Sequence, residues 1–394
     1  VGGGVELCPS ICYGAVYALE AKGDDIYAGG SFINAGGGRA NYIARWDGSK
    51  WSALGNGISI ITSSNDYVGV NAIALSGNNV YTVGNPITDI GVGRFLHLDG
   101  FVRWDGSNWS TVGGGVIGTA DTASLNAIAI KDGDIYVGGH FPVAGFTGVN
   151  HIARFDGNLW HALGSGIDGC ASCTPQVFTL AVKGNDLYVG GRFNSAGGVQ
   201  ANNIARWDGN SWQAVGSGAN GPVYKIVSNG DDIYVGGDFT SIDGVKANGI
   251  ARFDGTKWHA LGSGVGGRVH AIAFKDNEVY VGGVFSTAGG KTIYNFARWI
   301  GPAIVAPPPP PPPVLLPKIT GISINRKKLI VAGELFEQGS SILLNGERQK
   351  TKNDEQNPTT LLIAKKSGKK AKPGDRLQVQ NPDGKLSPEF IITQ

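Results

Sequence analysis

The 394-residue chain contains no methionine, only 6 histidines and only 16% charged residues. So few charges, beside a hydrophobic fraction of 41%, exclude a disordered, self-repelling polymer. No run of about 18 apolar residues occurs, so no helical membrane span is expected. The 64 glycines do not recur at every third position, which removes collagen. With 18 prolines added, what remains is a large, turn-rich, all-β globular chain. It opens Val1-Gly2-Gly3-Gly4-Val5, with neither an initiator methionine nor a charged-then-apolar leader, as expected of a processed or trimmed form whose export signal has gone.

Charge is unevenly placed. Residues 318–394 carry 14 Lys/Arg against 8 Asp/Glu, and the rest carries 19 against 23. A mild basic surplus without an aromatic-studded basic motif falls short of what phosphate neutralisation requires, so nucleic acid is not an expected partner. The four cysteines form two tight pairs, Cys8 with Cys12 and Cys170 with Cys173, in Gly/Pro/Ser-rich segments. Two local disulfides in an exported protein are the preferred reading. A four-thiolate zinc site competes with it and needs both pairs to converge in space.

One phrase recurs six times. Its first half reads Asp25-Ile26-Tyr27-Ala28-Gly29-Gly30 and returns around Tyr136, Tyr188, Tyr234 and Tyr280, with a degraded copy at Tyr81. Its second half reads Ile43-Ala44-Arg45-Trp46-Asp47-Gly48, followed by Trp51, and returns at Trp104, Phe155, Trp207, Phe253 and Trp299. The successive tyrosines lie 54, 55, 52, 46 and 46 residues apart, the period of a propeller blade rather than of a helical solenoid. Each unit offers four short β-branched or aromatic runs, here strands a to d, separated by turn residues. The a–b and c–d connections are short and rich in Asp-Gly or Gly-Asn, residues that tolerate the positive φ of tight hairpins. The b–c and d–a connections are longer and variable, and would emerge together on one face.

The paired glycines of strand b fit a close approach of neighbouring backbones. The recurrent Arg45, Arg103, Arg154, Arg206, Arg252 and Arg298 read as structural braces, and Asp47, Asp105, Asp156, Asp208 and Asp254 as turn residues before calcium ligands. Val1–Val5 repeats Val112–Val116 letter for letter, and the last unit, ending Arg298-Trp299-Ile300-Gly301, has no strand d after it. The expected fold is therefore a six-bladed β-propeller over 1–301, closed by the N-terminal strand.

The Tyr-x-Gly-Gly phrase, the aromatic-Asp-Gly phrase and the Trp that follows resemble the kelch-type propellers, including the central domain of galactose oxidase, and the delta-60 kind of bacterial surface repeat. The resemblance covers 1–301. It implies fold more than function, because such rings serve as adhesins, scaffolds, sugar binders and oxidases.

Pro307–Pro313 are seven consecutive prolines, a polyproline II spacer of roughly 22 Å inside a 302–317 linker. Beyond it, 318–394 alternates short apolar and polar runs, the pattern of a small β-sandwich. Ile330-Val331-Ala332-Gly333-Glu334-Leu335-Phe336, Leu344-Asn345-Gly346 and Val379-Gln380-Asn381-Pro382-Asp383-Gly384 resemble the TIG (IPT) immunoglobulin-like domain, which in exported bacterial proteins implies a spacer or contact module. The run Lys365, Lys366, Lys369, Lys370, Lys372 reads as a solvated loop rather than a polyanion site.

An oxidase of the galactose oxidase type needs two Tyr and two His on copper, one His from the C-terminal domain. Residues 318–394 contain no His and no Tyr. His97, His140, His151, His161, His259 and His270 show no metal-ligand spacing, and no Ser-His-Asp grouping or phosphate loop is present. No catalytic residue, metal or cofactor is assigned. What breaks the repeat is the second residue of strand a, Tyr17, Asn71, Asn126, Phe178, Tyr224 and His270, and the residue after Gly-Gly, Ser31, His140, Arg192, Asp238 and Val284. Tyr17, Asn71, Asn126, Phe178, Tyr224, His270, His140, Arg192 and Asp238 are the candidate ligand-binding residues of a channel mouth. Aromatic faces beside amide and charged groups suit carbohydrate or peptide recognition, against the plainer reading that strand a merely packs between blades. The expectation is an exported, non-enzymatic protein of the bacterial cell surface that binds carbohydrate or a surface protein, or assembles with its own copies, the TIG module acting as spacer. The alternative is a propeller hydrolase or lyase acting on polysaccharide through paired acids on opposite loops.

Overall fold

The computed structural model describes residues 4–6, 14–58, 69–84, 100–117, 123–169, 174–300 and 316–393. The two expected disulfides are not shown: Cys8 and Cys12, and likewise Cys170 and Cys173, lie outside the described residues, as does the proline run. The chain divides into two compact units, Val1–Ile304 and Val305–Gln394. Both are all-β. Among the described residues the one helical element is a 3-10 turn, Ser367–Lys369, and no helix is long and apolar enough to cross a membrane.

In the first unit the described residues form six consecutive antiparallel meanders. The fourth is representative: strand a Gln176–Lys183, b Asp186–Arg192, c Ile204–Trp207 and d Trp212–Ala214, paired in the order a-b-c-d. The sixth has long strands a (Val265–Lys275) and b (Glu278–Ala288) and strand c (Phe296–Ile300), and among the described residues no strand d. Consecutive sheets meet mainly through their strands a, so the sheets radiate from an inner row of these strands.

Two devices recur at the junctions. The first glycine of strand b receives the next sheet: a Cβ on Gly190 would lie 2.7 Å from Val223 Cγ1 and 3.0 Å from Ile226 Cδ1 of the fifth sheet. No side chain fits that socket without moving the neighbour, the physical reason for glycine there. The second device is the strand d tryptophan, whose indole N–H donates backwards to a carbonyl just past strand d of the preceding sheet. Trp109 reaches Leu54 at 2.8 Å, Trp160 reaches Gly113 at 2.8 Å, Trp212 reaches Leu163 at 2.7 Å and Trp258 reaches Val215 at 3.4 Å. Within a sheet, the arginine of strand c pairs with the acid that opens strand b: Arg45–Asp25 at 2.9 Å, Arg154–Asp134 at 2.7 Å, Arg206–Asp186 at 3.0 Å, Arg252–Asp232 at 2.8 Å and Arg298–Glu278 at 3.3 Å. In the second sheet Asn79 stands where the others have an acid, and among the described residues Arg103 Nε is buried without a hydrogen-bond partner.

The N-terminal strand departs from the expectation. Val5–Glu6 pairs with Asn34–Ala35, inside the b–c connection of the first repeat, and not with the outer strand of the sixth sheet. Val116–Ile117 pairs in the same way with Val143–Ala144 of the next repeat. The matching sequences thus mark the segment that follows strand d, which docks onto the b–c hairpin of the repeat after it. Among the described residues, both ends of the array keep large apolar side chains exposed, Phe296 and Ile300 among them at the last sheet. Val16 and Leu19 of the first strand a are 40% and 64% exposed, whereas Val223 and Ile226 in the same slots are 0% and 2% exposed.

The second unit is a two-sheet β-sandwich. One sheet holds Lys318–Asn325, Lys328–Glu334, Leu361–Lys365 and Thr351–Asn353; the other holds Glu347–Arg348, Ser341–Leu344, Arg376–Gln380 and Phe390–Ile391. Leu329, Val331 and Leu362 from one and Ile342, Leu377 and Val379 from the other share a single buried core.

Candidate functional site

All six candidate residues in strand a occupy the same irregularity. The a–b register slips by one residue between Val16 and Ala18, Val70 and Ala72, Leu125 and Ala127, Val177 and Thr179, Val223 and Lys225, and Val269 and Ala271. The skipped residue is Tyr17, Asn71, Asn126, Phe178, Tyr224 or His270. A β-bulge re-aims the extra side chain away from the ladder, so the fold presents these residues on the inner row. The second glycine of strand b accompanies the bulge, since a Cβ at Gly191 or Gly283 would overlap the carbonyl of Gln176 or Arg268 just before it.

The bulged side chains divide into two groups. Asn71 Nδ2 donates to the Leu125 carbonyl at 2.9 Å, and Asn126 Nδ2 to the Val177 carbonyl at 3.0 Å, each tying its sheet to the next. These two serve the junctions. Phe178, Tyr224 and His270 instead form an aromatic row, with ring centroids 5.3 Å apart for the first pair and 4.9 Å, stacked at 26°, for the second. Charged groups flank the row. Arg268 Nε donates to Asp238 Oδ2 at 2.8 Å. Burial raises the Tyr224 phenol above its ordinary range, Asp238 adding to the rise while Arg268 and Arg192 oppose it. Burial, then Arg268, lowers the His270 imidazole below its ordinary value, keeping it neutral at pH 7. The structure therefore gathers Phe178, Tyr224, His270, Asp238 and Arg192, with Arg268 as a member that the repeat comparison missed. Its signal was a lone cation beside Val269, where Ala15, Ser124, Gln176 and Pro222 stand in other repeats.

Arg192 also lines a cleft of about 420 Å³ between the fourth and fifth repeats, with Asn194, Asn202, Asn220, Ser241 and Asp243. Among the described residues its Nε is buried with no hydrogen-bond partner. Much of the remaining wall is engaged: Asn202 donates to the Ser217 carbonyl at 2.8 Å, and Asp243 accepts the Ser217 amide at 2.7 Å.

Tyr17, in the first sheet, is not placed in that aromatic row, and its side chain is 41% exposed. His140 stacks on His151 at 4.9 Å and 18°, and its Nδ1 lies 3.3 Å from the Pro175 carbonyl, a contact that needs the proton on Nδ1. His151 has φ 64°, and its Nδ1 accepts the Phe141 amide at 3.3 Å, just as Asn203 Oδ1 accepts the Phe193 amide one repeat later. Burial first, then the neighbouring His140, lowers His151 to about 4. The neutral ring is the folded form, while the unfolded residue titrates near 6.5. This contribution to stability is full above pH 6.5 and is lost as pH falls from there toward 4. His151→Asn keeps the acceptor and is expected to flatten that part of a melting-temperature-against-pH curve; an unchanged slope would place the titration elsewhere.

The turn acids and the histidines beside them do structural work. Asp208 caps its turn by accepting the amides of Asn210 at 2.9 Å and Ser211 at 2.7 Å, and Asp47, Asp105, Asp156 and Asp254 repeat the arrangement. Amides and hydroxyls at the turn hold Asp47 down at about 2. His161 and His259 each sit 2.6 Å from the capping carboxylate of their own repeat. Among the described residues no three His, Cys, Asp or Glu side chains are grouped as a metal site. The competing zinc reading of the cysteines falls, with Cys8, Cys12, Cys170 and Cys173 themselves, outside those residues.

Residues 231–255, from strand b to the c–d turn of the fifth repeat, match a domain of unknown function described as a β-propeller (DUF5122). No curated protein sequence matches the chain. A solved structure, the β-propeller domain of the Trilobed protease from Pyrococcus furiosus, described as having an open velcro topology, aligns with a TM-score of 0.40 and 11% identity, over 73% of this chain and 82% of that one. The radiating four-stranded meanders and the family match define the first unit as a β-propeller.

Proposed function

We propose that the protein is an exported, non-enzymatic binding or assembly protein of the cell surface, whose six-bladed propeller recognises carbohydrate at the Phe178–Tyr224–His270 row and whose TIG-like sandwich acts as a spacer or docking module. The row itself carries this reading: three aromatic faces on neighbouring inner strands, with the Arg268–Asp238 pair and Arg192 beside them, suit the apolar face and hydroxyl edge of a sugar ring. The ring is proposed to close by the first sheet seating on the sixth. In support, Val16 and Leu19 are left uncovered, and Gly282, in the socket slot of the sixth sheet, has only Ala271 Cβ at 3.6 Å and the Asn295 oxygen at 4.0 Å near a hypothetical Cβ.

Titration of the full chain against a glycan array tests the reading. Each lost stacking contact is worth about 1 kcal/mol, so Tyr224→Ala combined with Phe178→Ala should weaken binding about tenfold or more. Tyr17→Ala should leave it within about twofold, because that ring lies off the row. Turnover of a polysaccharide that disappears with Asp238→Asn or Asp243→Asn would instead establish the hydrolase or lyase alternative.

A further inference from the structure

The sandwich carries an uncompensated basic face built from two distant sequence runs. Arg326, Lys327 and Lys328 form the tip of its first hairpin, and Lys365, Lys366, Lys369 and Lys370 end strand Leu361–Lys365 and enter the 3-10 turn. Folding sets the runs side by side. Lys328 is the cross-strand partner of Lys365, the Gly368 amide donates to the Lys327 carbonyl at 3.2 Å, and the Lys365 amide donates to the Lys350 carbonyl at 3.3 Å. All eight of these cationic residues are exposed. Among the described residues none of them is in an ion pair, whereas Lys352, Arg376 and Lys385 elsewhere in the unit pair with Glu355, Glu389 and Asp383. No acid occurs in residues 318–333 or 356–374.

Like charges directly opposite one another destabilise a sheet, and Arg326 (φ 55°) and Lys366 (φ 69°) sit in a left-handed conformation that residues other than glycine seldom adopt. A solvated loop gains nothing from this arrangement. A local rule broken without internal compensation marks a functional surface. We propose that this face binds an acidic polysaccharide, with the lysines meeting carboxylate or sulfate groups along an extended chain. Lysine predominates, and a compact ammonium accommodates anions at irregular spacing, where arginine would favour a bidentate fit to single groups. The sandwich's two aromatic residues, Phe336 and Phe390, belong to or pack on its core, so no ring is offered to stack a nucleobase. Ile324, 43% exposed, is the one large apolar side chain at the hairpin tip, too little to anchor in a bilayer.

The test titrates the full chain with polygalacturonate and dextran sulfate, beside neutral dextran, a duplex DNA oligomer and phosphatidylglycerol vesicles. Acidic polysaccharide is expected to bind with an affinity that falls as salt rises, while neutral dextran does not bind. Changing Lys365, Lys366, Lys369 and Lys370 together to Glu should weaken binding about tenfold or more. The same charge change at Arg348, Lys352, Arg376 and Lys385 should cost less than about threefold. Equal losses from both sets would reduce the effect to net charge and overturn the proposal. So would tighter binding to DNA or vesicles, or no binding to any acidic polysaccharide. Lys365→Glu alone supplies a readout independent of ligand: facing Lys328, it should raise the melting temperature of the sandwich if the like-charge face is strained.

Discussion

Gly236→Val is expected to destabilise the propeller by about 3 kcal/mol or more, and to lower its melting temperature by roughly 6 °C. The first carbon of any side chain there lands on Val269 of the sixth sheet and 3.2 Å from Ile272 Cδ1, both buried. Neither can retreat, because Val269 is fixed by the strand ladder and Ile272 is held between sheets. Gly282→Val provides the comparison that reads ring closure. Its Cβ meets only ordinary contacts, so a bare sixth sheet would tolerate the change with little effect. Closure onto Val16 and Leu19 should make the two substitutions comparably damaging in a calorimetric scan; a silent Gly282→Val would remove the closure proposal while leaving the other junctions intact.

Trp212→Ala should cost about 3–5 kcal/mol, the range for emptying a large buried aromatic site. The ring is 6% exposed, packs with Trp207 at a centroid distance of 5.3 Å, and lies against the Gly197 turn, where an added Cβ would overlap it. Trp212→Phe separates the two parts of that loss. It keeps most of the apolar surface but gives up the 2.7 Å bond to Leu163, leaving a buried carbonyl without its donor, for a cost of about 1–3 kcal/mol. Urea melts of the two variants should fall in that order. Equal midpoints would mean that the hydrogen bond, and not the packing, sets the strength of the junction.

The repeat period made the meanders, the hairpin turns, the glycine sockets and the arginine braces legible in the sequence, because each recurs at a fixed offset and each has a local cause. The inner-row residues were legible as positions where the repeat varies, but their grouping was not. Asn71 and Asn126 reach the backbone of the next sheet, and Arg268 finds Asp238 across 30 residues, relations fixed only when the sheets are placed. The bulge was hidden as well, since it accompanies a close approach, open only to glycine, between the second glycine of strand b and a carbonyl of strand a. The N-terminal strand was misassigned for a related reason. Val1–Val5 and Val112–Val116 share letters, but the letters say nothing of which hairpin the segment meets, and that hairpin belongs to the following repeat.

The second sheet departs from its neighbours at the socket. Val83 stands where the others have the first glycine, and the residue arriving from the third sheet is Leu125, where the other strands a carry valine in the same slot; both are fully enclosed in one cluster. Near-identical units in one chain invite misassembly, because any knob fits any socket and a sheet can pair one whole repeat out of step. A joint with its own lock and key removes that degeneracy. Pairing the repeats one unit out of step would set a valine knob against Val83 and Leu125 against a glycine socket, so this junction distinguishes the correct order from a shifted one.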